Sequence, residues 1–147
     1  MASNYELDVD SVARIGLMFL DGDALEKSVI DRVGQVDYEF DYFNQVKAAL
    51  MKIEKINPKL RLTAVVWQLK PENLAYMSPM IAGNSLPAEG HSHAAVNRAA
   101  RTAFGGGFGE ILERGEARSH YYPIRNSDHE INGVLELIAG ERAANDI

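Results

Sequence analysis

Ser119-His-Tyr-Tyr-Pro-Ile-Arg-Asn-Ser-Asp-His-Glu-Ile-Asn-Gly-Val-Leu-Glu-Leu-Ile138 decides the fold. It reads as two antiparallel strands joined by a polar turn. Asn126, Ser127 and Asp128 supply turn chemistry through side-chain to backbone hydrogen bonds. Gly133 opens a run of Val and Leu typical of a strand buried on both faces. Alternation along the first strand puts Arg118, His120 and Tyr122 on one face and Ser119, Tyr121 and Pro123 on the other. This hairpin closes the folded part, and a polar tail follows over 140–147.

Upstream of it, Gly115 turns the chain out of a short strand over 108–113, and the hairpin strands run over 116–124 and 131–139. Further back, 60–69 and 74–82 form another hairpin about the turn Lys70-Pro-Glu-Asn73. A loop over 83–90 leads to a helix over 94–104, which Gly105-Gly-Gly107 stops. Three helices come first. One covers 8–20, capped by Asp8 or Asp10 and stopped by Gly22. The second covers 23–33. The third covers 38–56, capped by Asp37, with Phe43, Val46, Leu50 and Ile53 on one stripe, and ends at Asn57-Pro58. Helix runs separated from strand runs predict an α+β fold with five antiparallel strands.

A chain of 147 residues fits one domain, 1–147, with one sizeable core: helices over 8–56, sheet over 60–139. The net charge of −6 argues against nucleic acid, because phosphate binding needs a basic surface. The absence of cysteine excludes disulfides, zinc-thiolate sites and thiol nucleophiles. No apolar run approaches the roughly 20 residues that cross a bilayer. The start, Met-Ala-Ser-Asn-Tyr-Glu-Leu-Asp8, lacks the regions of a signal peptide. Two locations follow: the cytoplasm, or an extracytoplasmic piece of a longer receptor.

Tyr121, Pro123, Ile124, Arg125, Asn126, Ser127, Asp128, Ile131, Gly133, Val134 and Leu135 resemble the closing hairpin of Cache sensor domains, the extracytoplasmic relatives of PAS domains. His129 stands where that family usually has Gly, and a left-handed backbone there costs about 1 kcal/mol. The resemblance implies a five-stranded PAS-like sheet with N-terminal helices on one face and a helix/loop crossover over the other, forming a pocket. It also implies a sensory, non-catalytic role: a small ligand in the pocket, a homodimer through the N-terminal helices, and an output signalling domain on the same or another chain. No cofactor is implied.

Polar residues inside apolar strands mark the faces that meet a ligand, since buried polar groups must be paired. Trp67 with Thr63 and Val65, Tyr76 with Ser78, and Arg118 with His120 and Tyr122 are such sets. His93, Arg98 and Arg101 lie on or beside the helix that the resemblance places over the pocket. Arg with Tyr and His suits a small carboxylate, because guanidinium gives a forked pair of charge-assisted bonds.

Other constellations are weaker. His91-Ser92-His93 with Glu89 could share a metal only in an extended strand, and the segment reads as a loop or helix start. Gly105-Gly-Gly-Phe-Gly109 runs from helix to strand with no Lys, the reverse of a phosphate loop. There is no Gly-x-Ser-x-Gly elbow. Asp8/Asp10 and Asp21/Asp23 sit at helix starts, where carboxylates complement the dipole. The alternatives to a sensor are a ligand-free dimerisation module of the same fold, or a small α+β enzyme needing an acid/base pair.

Overall fold

The computed structural model describes residues 4–25, 39–70, 73–81, 93–114 and 117–140. In chain order these form α1 (Asn4–Phe19), α2 (Glu39–Glu54), β1 (Thr63–Lys70), β2 (Asn73–Ile81), α3 (His93–Phe104), β3 (Glu110–Arg114), β4 (Ala117–Arg125) and β5 (Ile131–Gly140). The class is α+β, and all strand pairs are antiparallel. The strands lie in one five-stranded sheet in the order β2-β1-β5-β4-β3, so β5 is central. Of the helix expected over 23–33, residues 22–25 are helical and the remainder lies outside the described residues, as does Asp37.

Register sorts the side chains into two layers. On the back face Ala64, Val66, Tyr122, Ile124, Leu135, Leu137 and Ala139 meet Val9, Val12 and Ala13 of α1 and Val46, Leu50 and Ile53 of α2. On the front face Val65, Trp67, Tyr121, Val134 and Ile138 meet Ala99, Ala100 and Ala103 of α3. Period-2 alternation alone produces this division, because neighbouring residues of a strand point to opposite faces.

Two helix details differ from the sequence reading. α1 begins at Asn4, so Asp8 and Asp10 lie inside it and cannot cap it. Asp21 caps the helical segment that follows, over 22–25: its Oδ1 accepts from Asp23 N (3.0 Å) and Ala24 N (3.3 Å). Gly22 follows α1 without stopping it. Its constraint is contact: a β-carbon there would stand 2.2 Å from the Arg125 carbonyl oxygen. Gly22 O also accepts from Asn132 Nδ2 at 2.6 Å. Asp23 Oδ1 accepts from both Ser127 N and Ser127 Oγ at 3.1 Å. The segment after α1 is thereby tied to the β4–β5 turn.

That turn is built by Asn126. Its Oδ1 accepts from Asp128 N (2.9 Å) and Glu130 N (3.0 Å), and its backbone N donates to Glu130 O (2.9 Å). His129 adopts the left-handed region at φ 66°. The geometry suited to Gly is therefore kept with a side chain present, held by His129 N donating to Asn126 O and Arg125 Nη1 donating to His129 O. The glycine run after α3 is a helix stop, as expected. Gly105, Gly106 and Gly107 amides donate back to Arg101, Ala103 and Thr102 carbonyls, and Gly109 N donates to Tyr121 O.

Candidate functional site

The front face of the sheet carries a buried carboxylate at its centre. Glu136 lies on β5, the middle strand, and is fully buried. Directly across β4 it faces Tyr121, and directly across β1 it faces Val65. Trp67 Nε1 donates to Glu136 Oε1 at 2.6 Å, and Tyr121 Oη donates to Oε2 at 3.0 Å. Each carboxylate oxygen therefore takes one neutral donor from a different neighbouring strand. Trp67 and Tyr121 are buried as well.

This arrangement is expensive. An ionised carboxylate removed from water loses several kcal/mol of solvation even after the protein relaxes. Two hydrogen bonds to a charged acceptor return about 1.5–3 kcal/mol each. Replacing a buried charged group by well-packed hydrocarbon of similar volume is often neutral or stabilising. Ser119, two residues before Tyr121 on the same face, is also fully buried, and among the described residues its Oγ has no hydrogen-bond partner. A buried hydroxyl left unpaired costs about 1–3 kcal/mol. α3 packs on this face: among the described residues, its Ala99, Ala100 and Ala103 share a buried cluster with Trp67 and Tyr121.

Of the residues singled out in the sequence, Trp67 belongs to this cluster. His120 and Tyr122 do not: both are buried on the back face, facing α1 and α2. They cannot share a chamber with Trp67, because the sheet itself stands between. Tyr122 Oη donates to Asp10 Oδ1 of α1 at 2.7 Å, and its ring meets Phe108 edge-on at 4.7 Å. Arg14 in turn lies over the Phe108 ring at 4.6 Å. Arg118 follows the same alternation and pairs with Glu113 on the neighbouring strand at 3.1 Å. Arg98 and Arg101 are on α3 but point to solvent. Tyr76 and Ser78 lie in β2 and His93 opens α3, but their side chains lie outside the described residues.

The three arginines that suggested a carboxylate ligand are thus not gathered around Trp67. Glu136 and Tyr121 are. Their signal was present: a Glu inside Val-Leu-Glu-Leu-Ile138 is a charge in a strand otherwise read as buried on both sides. Tyr121 fell on the unchosen side of the β4 alternation. Among the described residues no group of three or more His, Asp or Glu is placed to hold a metal ion. His91 and Glu89 lie outside them. Among the described residues no helix is long and apolar enough to cross a membrane.

No protein-family model, no curated protein and no solved structure matches this chain.

Proposed function

We propose that this chain is a small-molecule sensing domain of the Cache type, with its ligand site on the front face between the sheet and α3. The observation that carries the reading is Glu136, a buried carboxylate at the middle of the sheet held by Trp67 and Tyr121. Support also comes from the layering: N-terminal helices on one face, and on the other a helix that belongs to the β2–β3 crossover. That is the layering the closing hairpin's resemblance implies. Because α3 covers the site, occupancy is coupled to the seating of α3. A signal requires only that the ligand bind one seating better than another. On the back, the Tyr122–Asp10 bond ties the sheet to α1, which gives a change in β4 a route to the N-terminal helix. The site belongs to an extracytoplasmic receptor segment or to a cytoplasmic sensor; gene context separates the two.

The test is thermal-shift screening with organic acids, amino acids and amines. At least one class raises the melting temperature by several degrees at about 100 times Kd. No shift with any class contradicts the reading.

A second reading has its own observation. Ile15, Met18 and Phe19 of α1 and Met51 of α2 are exposed, Met18 at 84%. Apolar side chains grouped on a helix layer favour association, here with a second copy of the chain. Sedimentation would show a concentration-dependent dimer that Met18→Glu abolishes. If the dimer forms and no ligand shifts the melting temperature, the chain is a dimerisation module.

A further inference from the structure

We draw no further inference here: the strongest candidate, the fully buried Ser119 hydroxyl on the front face of the sheet, which has no hydrogen-bond partner among the described residues, belongs to the site already described.

Discussion

The two faces of one sheet are built to different rules. The back face is mostly hydrocarbon: Leu135 and Leu137 of β5 meet α1 and α2, and its polar groups are the buried His120 and a Tyr–Asp bond at the margin. One residue away on the same strand, Glu136 faces the other way and brings a carboxyl group into the core. Burial is equally complete on both sides, so burial does not separate them. Composition does. A packing face gains from every added methyl, at about 25 cal/mol per Å². A face that keeps a carboxylate gives up part of that gain, and the proposed ligand site lies on that face.

Four substitutions sharpen or break the comparison. Leu50→Ala empties a fully buried position on the back face and is expected to lower stability by about 3 kcal/mol in urea denaturation. A much smaller loss would mean the helices are not seated as described. Tyr122→Phe removes the bond to Asp10 and is expected to cost about 1.5 kcal/mol. Amide exchange should quicken in α1 more than in α3. His129→Gly relieves the left-handed backbone at φ 66° and is expected to stabilise the protein by about 1 kcal/mol. This turn matters to the comparison because a one-residue slip of the hairpin would exchange the faces of a whole strand. Glu136→Gln has the smallest expected effect on stability, below about 1 kcal/mol, because the lost charge-assisted bonds and the relieved burial oppose each other. A loss as large as that of Leu50→Ala would make Glu136 a structural tie between β1, β5 and β4.

The elements were largely legible in the sequence. The hairpin over Ser119–Ile138, the stripe of α2 and the glycine stop after α3 each carry strong local signals, and local physics fixes them. α1 was read four residues short because Asp8 and Asp10 looked like caps. Nothing local says that Asp10 is there to receive Tyr122 from 112 residues away. The site was legible only in part, for a related reason. Alternation separates residues into two sets on each strand but does not say which set faces which layer. That depends on pairing between β1, β5 and β4, which is nonlocal. Alternation groups Trp67 with Val65 and Thr63 as the structure does, while His120 and Tyr122 lie on the opposite face of the sheet from Trp67.

Trp67 is the chain's only tryptophan, and its indole N–H points at Glu136. Its indole resonance, followed by NMR during titration with whichever probe raises the melting temperature, tests the division of the faces most directly. The front-face site requires that this resonance move in step with the stabilisation while the methyl resonances of Leu50 and Ile53 stay in place. A stationary indole resonance, with the back-face methyls moving instead, would contradict it.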